Sequence, residues 1–278
     1  MRLFKKKKKE KENKYVPTGN YLFDYYNNYD EDSRLLRQWN RPEFLTTMRY
    51  IEKYITPDSK VIEIGAGTGR YSVTLAEKGY FVTAVELVPH NIEVMKKKVK
   101  PGHKIEIHEG NACDLSKFES DSYDIVLMLG PMYHLYTDED KHKALSEAIR
   151  IAKPGGVIFA AYLLSDAPIF KYFRDHEVLG FIEMGLFDDN YNCASRPEEI
   201  FELYRKSDID ELMKNYNVER LHFVGTDMLS ELFKKEIDEM GKREFEEYIK
   251  FLSTICESEE CVGMSFHVLD IFRKEKRQ

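Results

Sequence analysis

Short apolar runs alternate with amphipathic patterns along much of the chain. Five runs are short, apolar or alternating, and bounded by turn residues, as strands are: 60–64, 80–85, 104–108, 123–129 and 157–163. Apolar residues recur at helical spacing in four segments around them: 41–55, 71–78, 89–99 and 137–152. This alternation predicts a doubly wound, mostly parallel sheet flanked by helices.

The pattern becomes less regular after residue 165. Residues 166–200 mix aromatics, acids and turn residues, and residues 196–199 predict the start of a further helix. Residues 218–224 and 264–272 predict two more strands, with a charged helical insertion at 228–258 between them. We therefore expect a seven-stranded α/β sheet with helical cap insertions. The expected units are a core at 15–165, a substrate cap at 166–215 and the final strands at 216–278.

Composition places the chain among globular proteins, and its charge is uneven. Hydrophobic residues make up 42% of the 278 residues, and no apolar run approaches the ~20 residues that a membrane helix needs. Residues 1–14 carry about +6 and the remainder about −13. We interpret the basic start as a solvated, disordered tail, with a tether to nucleic acid or an anionic surface as the alternative. An acidic body repels a phosphate backbone, so nucleic acid is an unfavoured partner.

The cysteines and histidines suggest neither a disulfide framework nor a metal site. The four cysteines form no C-x-x-C pair, and no apolar segment typical of a secretory signal follows the first lysines. We expect reduced thiols and a cytoplasmic location. The eight histidines are scattered without metal-ligand spacing, so no metal site is expected.

The most informative segment is 61–71, where an apolar run ends in Gly65, Gly67 and Gly69 before a helical pattern begins. Glycine has no Cβ and accepts positive φ, so the chain can turn sharply there. The free N–H groups of the following helix can then face a bound cofactor. The dinucleotide pattern G-x-G-x-x-G would place its last glycine at position 70, where Arg70 stands. A nucleotide-type cofactor site is therefore expected, and an NAD-dependent oxidoreductase is a less favoured alternative.

Polar or glycine residues also follow the other predicted strands. Glu86 ends the second strand, close to the ~20-residue offset at which an acid accepts hydrogen bonds from ribose hydroxyls. Asn111 follows the third strand and Gly130 ends the fourth. Ligands of doubly wound sheets bind outside the carboxyl ends of the strands. These residues are therefore expected along one edge of the sheet, together with Gly65.

Taken together, these motifs resemble those of the class I S-adenosylmethionine-dependent methyltransferases of the small-molecule, UbiE-like type. The resemblance covers about residues 40–165 and rests on four segments: 63–69 (E-x-G-x-G-x-G), 109–115, 124–134 and 148–156. It implies S-adenosyl-L-methionine as the cofactor. In related enzymes a segment like residues 15–40 folds over the cofactor; the alternative here is a helix packed on the sheet.

The resemblance also assigns roles around the adenosine. Glu86 would hold the ribose, and Asn111 would accept a hydrogen bond from the adenine amino group, with the Ala112 N–H as its partner. Asn111 stands where the family usually has Asp, so its amide oxygen would accept without a charge. Asp114 is a rival acceptor.

The methionine end would be placed by Glu63 and the backbone of Leu129 and Gly130. An equal alternative for Glu63 is a structural acid that satisfies loop N–H groups. The full set of cofactor-binding residues that the resemblance implies is Glu63, Gly65, Ala66, Gly67, Gly69, Glu86, Leu87, Asn111, Ala112, Leu129 and Gly130.

The resemblance implies methyl transfer, and an acidic body with a bulky cap favours a small-molecule acceptor over a polymer. Residues 130–133 read G-P-M-Y, so the N/D-P-P-Y/F signature of amino-directed methyltransferases and the Pro-Cys of C5-cytosine enzymes are both missing. RNA or protein methyltransferases and a non-catalytic cofactor-binding regulator remain alternatives. His134 is the candidate general base because imidazole titrates near neutral pH; a core or surface histidine is the alternative. Tyr133 is expected to line the acceptor pocket or to pack.

Overall fold

The computed structural model describes residues 20–276, and the predicted basic tail at 1–14 lies outside the described residues. The described chain forms a sheet of seven strands. They are β1 (Lys60–Ile64), β2 (Phe81–Glu86), β3 (Ile105–Glu109), β4 (Tyr123–Met128), β5 (Ala152–Leu163), β6 (Val218–Gly225) and β7 (His267–Lys274). Their order across the sheet is β3-β2-β1-β4-β5-β7-β6.

The sheet is mostly parallel, with one strand reversed. β1 pairs in parallel with β2 and β4, β2 with β3, and β4 with β5. β7 is antiparallel to both of its neighbours, β5 and β6. The predicted α/β sheet of seven strands is confirmed in this coarse form. The alternation of strands and helices does not predict the reversal of β7. Antiparallel neighbours are usually recognised by a tight turn between them, but β6 and β7 are joined by a helical connection.

Ten α-helices lie within residues 20–276. They are α1 (Tyr21–Asn28), α2 (Arg41–Tyr54), α3 (Arg70–Glu77), α4 (Pro89–Lys98), α5 (Asp138–Ile151), α6 (Asp166–Arg174), α7 (Val178–Glu183), α8 (Lys206–Met213), α9 (Lys234–Glu239) and α10 (Lys242–Ile255). None of these helices is both long enough and apolar enough to span a bilayer. Their start signals are local: for example, the Thr137 Oγ1 accepts the Asp140 N–H at 3.1 Å and so caps α5.

Helices cover both faces of the sheet, which explains the continuous apolar runs in its central strands. In β4, Val126 and Met128 belong to a buried cluster with α5 and α8. Ile125 and Leu127 point to the opposite face, into a cluster with α2 and α3. Successive side chains of a strand alternate between faces, so both sides of β4 are apolar. Only the strand ends are left for polar chemistry.

The helix predicted from residue 196 is wrong. Pro197–Glu199 form a single 3-10 turn, and Ile200 then takes a positive φ of 72°. The following residues run beside the sheet: the Glu202 N–H donates to the Tyr133 carbonyl at 2.9 Å and the Tyr204 N–H to the Leu163 carbonyl at 2.8 Å. These long-range hydrogen bonds override the local helical pattern, and the next helix, α8, begins only at Lys206.

Candidate cofactor site

A cavity opens at the carboxyl ends of the parallel strands, where the strand order reverses between β1 and β4. The empty space in it, including the open solvent at its mouth, is about 1280 Å³. Most of the residues predicted for the site line it: Glu63, Gly65, Ala66, Gly67, Glu86, Leu87, Asn111, Ala112, Leu129, Gly130, Tyr133 and His134. The residues predicted for the site therefore meet at one cavity.

The glycine loop brings the end of β1 against the turn that follows β4. Gly65 has a φ of +71°, and a Cβ there would lie 2.8 Å from the Pro131 Cδ, so only glycine fits this close approach. Gly69, by contrast, does not line the cavity. It precedes α3 with a φ of +82°, and a Cβ there would lie 2.4 Å from the Met95 Cγ. The structure thus places Gly69 at the packing of α3 against α4, and not at the cofactor site where the sequence predicted it.

Glu86 lies at the end of β2, only 5% exposed, with its carboxylate at the cavity wall. Its Oε2 accepts the Gly67 N–H at 2.7 Å, and its Oε1 accepts the Val88 N–H at 2.8 Å and the Asn91 amide at 3.3 Å. Burial raises the pKa of the Glu86 carboxyl, and these hydrogen bonds oppose the shift. A carboxylate offers about four lone-pair sites, so Glu86 can accept one more hydrogen bond, from a ligand.

Asn91 adds a second acceptor beside Glu86. Its side chain lines the same cavity, and its buried Oδ1 has no hydrogen-bond partner among the described residues. A buried polar atom without a partner costs free energy, and a ligand donor would remove that cost. Two neighbouring hydroxyl groups would fit this pair of acceptors. Asn91 is not among the residues predicted from the sequence, although its place in the first turn of α4, directly after β2, is a signal that could have identified it.

Glu63 in β1 lies at the cavity wall and is hydrogen-bonded to α3. It is 2% exposed, and its Oε2 accepts the Ser72 N–H at 2.8 Å and the Ser72 hydroxyl. It therefore satisfies an N–H group in the first turn of α3 while it lines the cavity. Burial raises the pKa of the Glu63 carboxyl to about 8, although the hydrogen bonds from Ser72 oppose the shift.

Replacing Glu63 by glutamine is expected to flatten the pH dependence of the free energy of unfolding. In the unfolded chain Glu63 ionises near pH 4.5, whereas the folded protein holds its proton up to about pH 8. The folded state binds more protons in this window, so its stability falls as the pH rises, by up to ~1.4 kcal/mol for each pH unit. Glutamine cannot ionise, so the variant loses this slope.

Urea unfolding of the cofactor-free protein near both ends of this pH window measures the effect. The exposed Glu52, 47% accessible in α2, supplies the control: Glu52→Gln should keep the slope of the wild type. Parallel pH curves for the wild type and Glu63→Gln would contradict the raised pKa.

Asn111 is better placed than Asp114 for the adenine role. The Asn111 side chain lines the cavity, and its Oδ1 accepts the Cys113 N–H at 2.9 Å, which leaves one lone pair for a ligand. The Asp114 carboxylate does not line the cavity and accepts the Ser116 N–H at 3.1 Å. The structure therefore favours Asn111 over its rival.

The N-terminal segment forms the cover of the cavity. Leu22 and Tyr26 of α1 line it, together with Arg34 and Glu43. The Arg34 guanidinium holds both Glu43 carboxylate oxygens, at 2.5 and 3.0 Å. No residue of the predicted substrate cap at 166–215 lines the cavity. The sequence named a covering role for the N-terminal segment only as one of two alternatives, because its contact with the far wall of the cavity, Tyr26 with His134, joins residues 108 positions apart.

Both predicted catalytic residues lie at the cavity wall, but their polar atoms are already engaged. The Tyr133 hydroxyl donates to the Leu129 carbonyl at 2.8 Å. The His134 Nδ1 lies 2.8 Å from the Ile200 carbonyl, and its Nε2 lies 2.9 Å from the Tyr26 hydroxyl. Burial lowers the pKa of His134 to about 4, although the Ile200 hydrogen bond opposes the shift, so the imidazole is neutral at physiological pH.

Behind the cover, Glu43, Asp227 and His267 bring one potential metal-ligand atom each within 4.8 Å of one another. Arg34 already binds Glu43, and the His267 Nδ1 lies 2.6 Å from an Asp227 carboxylate oxygen. Burial alone would lower the pKa of His267, but the charges of Glu43 and Asp227 outweigh it and raise the pKa. Both carboxylates thus already have nitrogen partners within this group, Arg34 for Glu43 and His267 for Asp227.

Comparison with known proteins agrees with this arrangement. Residues 62–160 match a family described as "Methyltransferase domain". A demethylmenaquinone methyltransferase of Clavibacter sepedonicus is 31% identical over 113 residues, 40% of this chain and 44% of that protein. A ubiquinone biosynthesis O-methyltransferase of Saccharophagus degradans is 24% identical over 162 residues, 57% of this chain and 66% of that protein. The chain thus spans about half the length of the curated relatives it matches.

The fold is shared with solved methyltransferase structures. A SAM-dependent methyltransferase from Methanosarcina mazei superposes with a TM-score of 0.55 at 18% sequence identity, over 82% of this chain and 98% of that one. Residues 62–160 thus match a methyltransferase domain family, and the described residues share the fold of a SAM-dependent methyltransferase. These matches support S-adenosyl-L-methionine as the cofactor.

Proposed function

We propose that the protein transfers a methyl group from S-adenosyl-L-methionine to a small-molecule acceptor that binds in the same cavity. The observation that carries the proposal is the pair of buried acceptors, Glu86 and Asn91, beside the glycine loop at the point where the strand order reverses. Ligands of doubly wound sheets bind at this point. Tyr26 of α1 and His134 after β4 line the same cavity, where the acceptor would bind.

The residues of the chain would divide the cofactor between them. Glu86 and Asn91 would accept hydrogen bonds from the ribose, and Asn111 with the Ala112 N–H would meet the adenine. Glu63 and the backbone of Leu129 and Gly130 would place the methionine end. The remaining predicted contacts come from the glycine loop and from the residue after Glu86: Gly65, Ala66, Gly67 and Leu87. When bound, S-adenosyl-L-methionine supplies a methyl carbon already activated by a sulfonium. The protein then has to orient an acceptor atom toward it and exclude water, which is worth ~7–11 kcal/mol.

The cavity wall favours a small acceptor over a polymer. Its cover, α1 and the segment that leads to Glu43, contributes Leu22, Tyr26 and Arg34 to the wall of the site. Acidic side chains, among them Glu31, Asp32 and Asp140, line it, and a phosphate backbone would be repelled by them. The relatives named for quinone methylation support the same choice. An RNA or protein acceptor remains the alternative, with the basic residues 1–14 as its docking segment.

Transfer of labelled methyl groups to fractionated metabolite extracts tests the proposal. Wild-type protein is expected to label a small-molecule fraction, and a variant without residues 1–14 should label it equally. Label that enters only RNA or protein, and is lost with residues 1–14, would contradict the small-molecule assignment. Calorimetric binding of NAD without binding of S-adenosylmethionine would reject the methyltransferase assignment altogether.

A further inference from the structure

Tyr26 of α1 and His134, which follows β4, meet at the wall of the cavity. Although they are 108 positions apart in the sequence, the Tyr26 hydroxyl and the His134 Nε2 lie 2.9 Å apart. Their rings pack edge to face, with centroids 5.6 Å apart. Both side chains line the cavity. A ligand in the cavity can therefore reach the imidazole through one intervening hydroxyl group.

The direction of the hydrogen bonds follows from the Ile200 carbonyl. A carbonyl oxygen only accepts, so the His134 Nδ1, which lies 2.8 Å from it, carries the ring proton. The neutral ring then presents an acceptor at Nε2, and the Tyr26 hydroxyl donates to it. With its proton directed at His134, the Tyr26 oxygen offers its lone pairs to a donor hydrogen of a bound ligand.

We propose that Tyr26 is a catalytic group that accepts the proton of a hydroxyl-bearing methyl acceptor and passes its own proton to His134. The inference rests on the proposed function. The acceptor oxygen bonds to the methyl carbon while the carbon–sulfur bond breaks and leaves its electron pair on sulfur. The acceptor's hydroxyl proton moves to the Tyr26 oxygen as the Tyr26 proton moves to the His134 Nε2. The positive charge of the sulfonium ends on the imidazole, which returns its proton to water.

A hydroxyl acceptor suits this pair better than an amine. Burial lowers the pKa of His134 to about 4, whereas an alkylammonium ion has a pKa of ~10. His134 therefore does not deprotonate an ammonium ion before transfer, and an uncharged amine needs no base to attack. A hydroxyl oxygen becomes strongly acidic as it gains the methyl carbon, so its proton moves to Tyr26, and the Tyr26 proton to His134, during transfer. The Tyr133 hydroxyl cannot replace Tyr26, because it donates to Leu129.

The activity test compares Tyr26→Phe with Tyr25→Phe, on the same helix, whose ring stacks on Tyr29 at a centroid distance of 5.0 Å. The probes are catechol and glycerol, which offer hydroxyl groups, and benzylamine, which offers an amine. Tyr26→Phe is expected to lower kcat for a hydroxyl probe by ~10²–10⁴-fold. Its Kd for S-adenosylhomocysteine should stay within about twofold of the wild type, and Tyr25→Phe should keep kcat.

A second variant tests whether the two residues act as a unit. His134→Gln can still accept a hydrogen bond from Tyr26 but cannot take its proton. It should lose kcat to a similar extent, and the double variant should lose little more than either single variant. Additive losses of kcat in the double variant would show that the two residues act independently. That result would contradict the proposal that they act as a unit.

A spectroscopic readout tests the pair without turnover. Nitrogen-15 spectra of histidine-labelled protein with S-adenosylhomocysteine should show His134 neutral near pH 6, with Nδ1 protonated and Nε2 bare. Tyr26→Phe should shift the Nε2 resonance, and Tyr25→Phe should not. A His134 that is protonated on Nε2, or charged near pH 6, would overturn the inference.

The outcomes separate the inference from the proposed function. Protein that fails to bind S-adenosylhomocysteine contradicts the proposed function itself. Protein that binds it, and methylates benzylamine but neither hydroxyl probe, contradicts the hydroxyl acceptor. An equal loss of kcat in Tyr25→Phe and Tyr26→Phe shows a merely structural role for α1. Labelling of a hydroxyl probe that falls only in Tyr26→Phe and His134→Gln supports the proposal.

Discussion

Replacing Arg34 by methionine is expected to lower the free energy of unfolding by about 3–5 kcal/mol. The Arg34 guanidinium holds both oxygens of Glu43 and also binds Glu31 at 2.9 Å. Burial alone would raise the pKa of Glu43, but the charges of Arg34 and His267 lower it, so Glu43 stays ionised. Methionine fills a similar volume without a charge and leaves this carboxylate buried with only the more distant His267. Urea unfolding at neutral pH measures the loss.

Two further variants separate the buried pair from a general effect of charge. Arg273→Met breaks an exposed pair with Glu219, whose side chains are 35% and 59% accessible, and should cost about 0–1 kcal/mol. The double variant Arg34→Met/Glu43→Met removes both charges and should recover most of the loss, because apolar replacements of a buried pair are often neutral. A double variant as unstable as Arg34→Met alone would contradict this explanation.

Glu86→Ala is expected to weaken the binding of S-adenosylhomocysteine by about 1.5–3 kcal/mol, the scale of hydrogen bonds to a charged group. This corresponds to a Kd about 10- to 150-fold higher. The carboxylate is the charged acceptor at the end of β2, and Asn91 alone offers only an amide oxygen to the ribose. Isothermal titration calorimetry measures the change directly.

The control removes a similar charge from a nearby exposed position. Glu93 lies in α4, on the same helix as Asn91, but its side chain is 63% accessible and pairs with Lys96. Glu93→Ala should leave the Kd unchanged, because exposed pairs contribute little. A Kd for Glu86→Ala equal to that of the wild type would remove Glu86 from the ribose role.

The sequence predicted the parts of the site that local geometry determines. The glycines after β1, the acid at the end of β2 and Asn111 after β3 all follow strand ends, and the topology of a parallel sheet brings strand ends together. The prediction for Gly69 differs from the structure because a glycine with positive φ is needed for close helix packing as well as for close approach to a ligand. Only the structure distinguishes these two reasons for a glycine: a Cβ at position 69 would lie 2.4 Å from the Met95 Cγ.

The cover and the proton-accepting pair could not be predicted in the same way. Tyr26 and His134 are 108 positions apart, and Arg34 binds a residue on a different helix. The carbonyl of Ile200 fixes the tautomer of His134 only because residues 200–204 run beside the sheet, where the sequence predicted a helix. Long-range hydrogen bonds of this kind produce no periodic pattern of residues in the sequence, so they are seen only in the folded chain.

A crystal structure of the protein with S-adenosylhomocysteine tests the central claim most directly. We expect the ribose hydroxyls within hydrogen-bond distance of Glu86 and Asn91, the adenine beside Asn111, and the amino-acid end against the loop between Gly65 and Gly130. The Tyr26 hydroxyl should face the space next to the sulfur. A ligand bound elsewhere, or a ribose that leaves Glu86 without contact, would contradict the account.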